Sequence, residues 1–168
     1  MFEAPILDPI SFTAQGETLQ GEGVPGDIQG LKNLLHSGEG WFKYRVSGDV
    51  TYNHEPQLRI QLEGHLILTC QRCLEGMLFK LDGDNTLLMV RRESDLPALE
   101  DERIGVDVIV LPERLDVAQI VEEEILLALP LAPCHPLGEC AADGLLAEKK
   151  RANPFAALAQ LKGKSIND

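Results

Sequence analysis

The chain is 168 residues long, enough for one domain with a real core, and 44% of it is hydrophobic. Aromatic residues make up only 5%, so the expected core is mostly Leu, Val and Ile. With 27 Asp and Glu against 15 Lys and Arg, the formal net charge of -12 repels nucleic-acid phosphates at long range and attracts a basic protein instead.

Residues 1–26 carry weak signals. Leu7-Asp8-Pro9 reads as a helix breaker, because the residue before a proline is pushed toward extended backbone. Gly21, Gly23, Pro25 and Gly26 read as a flexible connection. Asp27 is then placed to cap a short helix with the stripe Ile28, Leu31, Leu34 and Leu35, ending near Gly38. From Trp41 the period changes to two. Phe42, Tyr44 and Val46 alternate with Lys43, Arg45 and Ser47, which predicts a strand with one wet face. Gly48-Asp49 marks a turn or bulge, and Asn53-His54-Glu55-Pro56 the next turn.

The clearest strand follows, with Leu58, Ile60, Leu62, Leu66, Leu68 and Cys70 on one face and Gly64 as a bulge or bend. Met77, Phe79 and Leu81 resume the alternation, so Cys70 and Cys73 sit at the tip of a hairpin. Gly83-Asp84-Asn85 reads as a turn into Leu87, Leu88, Met89 and Val90. Arg91 to Arg103 is a charged, solvated loop, and Val106, Val108 and Val110 make one more strand.

Asp116 to Leu129 is the strongest helix. Asp116 and Gln119 stand at the two positions of a capping box. Val117, Ile120, Val121, Ile125 and Ala128 form the apolar stripe, and Leu126, Leu127 and Leu129 widen it. Glu122-Glu123-Glu124 is its wet shoulder, and Pro130 ends it. A proline-rich segment with Cys134, His135 and Cys140 leads into a linker-like stretch after Ala141. Asn153-Pro154-Phe155 then opens a short helix with Phe155, Leu158 and Leu161 on one stripe. The fold class is α+β: an antiparallel β meander or partly open barrel with one main packed helix and a short C-terminal helix. Residues 1–140 form a single domain, and 141–168 a linker and docking helix.

No apolar run reaches the roughly 18 residues of a membrane span. Met1-Phe2-Glu3-Ala4-Pro5 lacks the basic flank and apolar core of a signal peptide. A cytoplasmic protein with no membrane partner is the expectation, its four cysteines reduced or metal-bound. Cys70-x-x-Cys73 has ligand spacing, and with Cys134 and Cys140 it makes a candidate four-thiolate structural zinc site; His135 is the substitute ligand for Cys134, in a version with three sulfurs and one imidazole. The alternative is that Cys70 and Cys140 are small core residues and the other two surface thiols. A thioredoxin-type motif fits less well, because no helix of a βαβ unit follows the pair. His36, His54 and His65 lie in turns or on a wet strand face. There is no glycine-rich phosphate loop, G-x-S-x-G or H-E-x-x-H, so the expected protein is not an enzyme. Lys149, Lys150 and Arg151, beside Asn153, Pro154, Phe155 and Leu158, are the segment's offer to a partner. The acidic total favours reading the basic cluster itself as a solubilising linker.

Several segments together resemble the bacterial YceD-like family, the large ribosomal RNA subunit accumulation proteins. They are Leu7-Asp8-Pro9, Thr69-Cys70-Gln71-Arg72-Cys73-Leu74-Glu75, Glu122 to Pro130, and Asn153-Pro154-Phe155-Ala156-Ala157-Leu158 with Leu161-Lys162, in that order along nearly the whole chain. The resemblance implies a cytoplasmic ribosome-biogenesis protein whose partner is a large-subunit precursor or a basic ribosomal protein, and it establishes no enzymatic activity. Direct RNA contact stays open. Family members often carry thiols after the Leu-Pro that ends the helix, in varying number and spacing, and Cys134 and Cys140 supply two here.

Overall fold

The structure is a computed structural model and describes residues 2–97 and 106–143. Strand β1 (Ile6–Leu7) leads into helix α1 (Pro9–Ala14). Leu7-Asp8-Pro9 therefore starts a helix rather than breaking one. The proline confines Asp8 to extended backbone, which is the conformation of a cap, and the Asp8 carboxylate accepts the N–H groups of Ile10 and Ser11. Pro9 fills the first helical turn, where a missing N–H costs nothing.

Gly21 and Gly23, expected in a flexible connection, belong to strand β2 (Thr18–Gly23), which pairs antiparallel with β3 (Leu35–Val50). The helix expected between Asp27 and Gly38 is replaced by two 3-10 turns, Pro25–Asp27 and Gln29–Leu31, and Leu35 already lies in β3. The two turns suffice to bury Ile28 and Leu31, while Leu34 stays exposed.

Strands β4 (Pro56–Thr69) and β5 (Gly76–Val90) complete the long hairpin, and β6 (Val106–Val110) closes one edge. The sheet is open, in the order β2-β3-β4-β5-β6. Its pairings from β2 to β5 are antiparallel, and β6 runs parallel to β5. Three glycine signals resolve differently from expectation. Gly48 and Gly64 sit in unbroken ladder, opposite Leu58 and Phe42, and the register shifts fall near Ser37 and Gly40 instead. These glycines mark close approach: a Cβ would strike the Phe12 carbonyl at Gly48 and the Trp41 carbonyl at Gly64. Gly83-Asp84-Asn85 makes no turn, because Gln61 pairs with Asp84 and Ile60 with Asn85 in the same ladder. Arg59 grips the Asp84 carboxylate with Nε at 2.8 Å and Nη2 at 2.5 Å.

Strand β7 (Leu115–Asp116) pairs with β1 and runs into helix α2 (Val117–Ala128). Asp116 caps it by accepting from Ala118 and Gln119. The Gln119 side chain turns to Glu123 instead of back to the cap, so only half of the capping box forms. Leu115, Val117, Val121 and Ile125 bury against Leu58, Ile60, Leu81, Leu87 and Met89 of the sheet, with Phe12 and Phe42 in the same core. The acidic run is not uniformly wet. Glu122 accepts the Gly30 N–H at 3.0 Å, and Glu124 is only 9% exposed. Leu127 is 72% exposed, outside the apolar face. The other face of the sheet is polar, with Trp41 edge-on to His65 and Lys43 over its ring. No helix among the described residues is long and apolar enough to cross a membrane. The short C-terminal helix expected from Asn153 lies outside the described residues.

Candidate metal centre

The turn between β4 and β5 is built by its own backbone. Leu74 adopts φ 63, which lets its N–H reach the Cys70 carbonyl at 2.9 Å. The Cys70 N–H reaches the Glu75 carbonyl at 2.9 Å, and the Arg72 N–H points at Cys70 Sγ at 3.5 Å. Cys70 and Cys73 are thereby presented on one side of the turn. The segment after α2 comes to meet them. Gln71 donates its N–H to the Pro133 carbonyl at 2.8 Å, which lays residues 133–135 beside the turn. His135 Nδ1 is 3.4 Å from Cys73 Sγ, and its Nε2 is 3.2 Å from the Gly76 carbonyl. Cys140 is buried, with its Sγ 4.0 Å from Cys70 Sγ.

One ligand atom from each of Cys70, Cys73, His135 and Cys140 lies within 4.8 Å of the others, close enough to share a metal ion. Cys134, half-buried, is not a member of this group; the imidazole next to it is. An ion pair between Arg72 and Asp143 flanks the cluster, and Asp143 also accepts the Gly138 N–H at 2.9 Å. Glycine suits that position, since Gly138 has φ 88.

A family model described as "Large ribosomal RNA subunit accumulation protein YceD" matches residues 58–162, from the start of β4 past the cysteine cluster. The chain belongs to the YceD family. A curated protein of that name from Haemophilus influenzae is 33% identical over 129 residues, covering 66% of this chain and 70% of the relative. No solved structure matches the chain.

In this YceD-family chain the cluster is electrostatically uneven. Burial pushes the Cys70 thiol up, but the N–H groups of Cys73, His135 and Arg72 outweigh it and bring Cys70 down to about 5. Burial raises Cys140, and its neighbours Cys73 and Cys70 raise it further. The Gly138 N–H and then the Arg72 guanidinium hold Asp143 below the usual carboxylate range. One thiol is thus predisposed to the anionic form that ligates a metal, while its partner stays protonated until something compensates its charge.

Cys70, Cys73, Cys140 and His135 come together as candidate site residues. Lys149, Lys150, Arg151, Asn153, Pro154, Phe155 and Leu158 lie outside the described residues. Arg72, the Gly76 carbonyl and Asp143 were missed by sequence reasoning. Only their closeness to the cysteines in the sequence could have signalled them, and a backbone carbonyl carries no residue-type signal.

Proposed function

We propose that this chain is a non-catalytic factor in the accumulation of large-subunit ribosomal RNA, working through protein contacts. Family membership supports the ribosomal part, since the matching family model and the Haemophilus relative both carry that description. The charge supports the protein part. A net charge of -12 leaves little for phosphates to bind. On the exposed sheet face Lys43 stands between Glu22 and Glu63, Arg59 on Asp84, and Lys80 on Asp82. A groove of about 760 Å³ along that face is lined by Lys43, Arg45 and Lys80 together with Glu22, Glu63, Asp82 and Asp84, so an RNA strand laid in it meets carboxylates beside the cations.

The partner such a surface suits is a basic ribosomal protein, free or on a large-subunit precursor. The cysteine and histidine group serves as a structural zinc centre: these are zinc's donors, and a set of four protein ligands leaves no open position for chemistry. Tagged protein purified at low salt is expected to bring down large-subunit precursors, with the yield falling as salt rises. No association at low salt would remove this reading. Direct RNA binding is separated by the triple variant Lys149→Ala, Lys150→Ala, Arg151→Ala. On the protein-contact reading, mobility shifts with large-subunit RNA stay weak and unaltered by it.

A further inference from the structure

We propose that the metal centre is a three-sulfur, one-imidazole site, ligated by Cys70, Cys73 and Cys140 through Sγ and by His135 through Nδ1, with Cys134 left outside it. The inference rests on the reading of the cluster as a zinc centre and adds the ligating nitrogen and tautomer of the histidine, the reason Cys134 stays out and what the ion holds in place.

The spacing fits a tetrahedral ion. Zinc bonds of about 2.3 Å to sulfur and about 2.0 Å to nitrogen set tetrahedral edges of about 3.8 Å between two sulfurs and about 3.5 Å between sulfur and nitrogen. The Cys70–Cys140 separation is 4.0 Å and the Cys73–His135 separation 3.4 Å. Two of the six edges thus match, and all four ligand atoms lie within 4.8 Å of one another.

The tautomer follows from the second contact of the ring. A backbone carbonyl can only accept, so at 3.2 Å from the Gly76 oxygen His135 Nε2 carries the proton. Nδ1 is left with its lone pair facing Cys73. A ligating histidine held by its other N–H on a carbonyl is the usual outer-shell arrangement of zinc sites. Gly76 contributes this carbonyl from the first residue of β5, so the strand itself orients the ring.

Cys134 is excluded by its neighbour. His135 precedes Pro136 and is pushed toward extended backbone, where adjacent side chains point to opposite sides. With Pro133 fixed by the Gln71 N–H, it is His135 that reaches Cys73, and Cys134 supplies no atom to the group of four. The ion then joins the β4–β5 turn to the segment 133–140, adding to the Gln71–Pro133 and His135–Gly76 hydrogen bonds, the His135 backbone N–H on Cys70 and the Arg72–Asp143 pair.

The full-length chain, purified under reducing conditions, is expected to carry one zinc per molecule. Cys134→Ser should keep that content, and His135→Ala should lose more than about a hundredfold in affinity, beyond the 10–100-fold loss of an outer-shell partner. Cobalt(II) added to the metal-free protein should give the charge-transfer intensity and ligand-field bands of three thiolates and one nitrogen, unchanged by Cys134→Ser. Chelation should speed proteolysis between Pro130 and Cys140 while the circular dichroism of the sheet persists. Loss of zinc in Cys134→Ser, or a four-thiolate cobalt spectrum, would overturn the ligand set while leaving the zinc reading standing. A wild-type protein holding less than about a tenth of an equivalent would overturn both, since structural sites of this kind bind tightly.

Discussion

Glu124 is a carboxylate in surroundings that favour the acid. It is buried between α2 and the sheet edge, where Asn85 Nδ2 donates to it at 3.1 Å and to Asp107 at 2.8 Å. Burial raises its pKa, Asp107 and Glu123 push the same way, and the Asn85 hydrogen bond opposes them without prevailing. A carboxyl whose folded pKa is raised contributes its stability below the ordinary value near 4.5 and loses it as pH rises through the folded value. At neutral pH Glu124 therefore works against the fold. Glu124→Gln keeps the size and an acceptor for Asn85, so it should raise the urea midpoint at pH 7, with the gain fading toward pH 4. A lower midpoint at pH 7 would contradict this account. Residue type in a run of three glutamates hides the difference, but helical spacing could have signalled it, since Glu124 falls three after Val121 and four before Ala128 on the apolar stripe.

At the scale of elements, the two aspartate caps invite direct tests. Asp116→Ala removes the acceptor for two helix N–H groups at the start of α2, and should cost about 1 kcal/mol in urea unfolding with an unchanged slope. Asp116→Asn should recover most of it. The middle of β3, the first half of β4 and helix α2 were legible in the sequence because each carries a clear period: Phe42, Tyr44 and Val46 in one, Leu58, Ile60 and Leu62 in the next, Val117, Val121 and Ile125 in the last. Strand β2 was not, since the inward row of Thr18–Gly23 includes glycines. A Cβ on Gly21 would meet the Tyr44 ring, and one on Gly23 the Phe42 ring, so the apolar filling of those positions comes from the next strand. Gly83-Asp84-Asn85 misled for a related reason. Its polar residues are satisfied across the sheet by Arg59 and by Glu124, which no local rule can see. The cysteine turn was legible from spacing. The choice between Cys134 and His135 was not, because it depends on which way a proline-bounded segment faces after a hydrogen bond to Gln71.

For the whole molecule, the described residues bury their core between one face of the sheet and the helices. On the expectation that the chain after Ala141 is a linker and docking helix, a chain ending after Asp143 should keep the melting temperature of the full protein, while losing association with large-subunit precursors if the terminal segment is the contact. A melting temperature lower by more than a few degrees would mean that the tail belongs to the core. The placement of the thiols has a further consequence in time. Cys70 and Cys140 are separated by 70 positions in the chain and meet at 4.0 Å. At synthesis rates of about 5–20 residues per second, the first pair of thiols is made several seconds before its partners. The β3–β4–β5 hairpins can pair in that interval from neighbouring sequence alone. The cluster can close only once Cys140 has been made, so a stalled or truncated product ending before Cys140 carries Cys70 and Cys73 without their full set of partners.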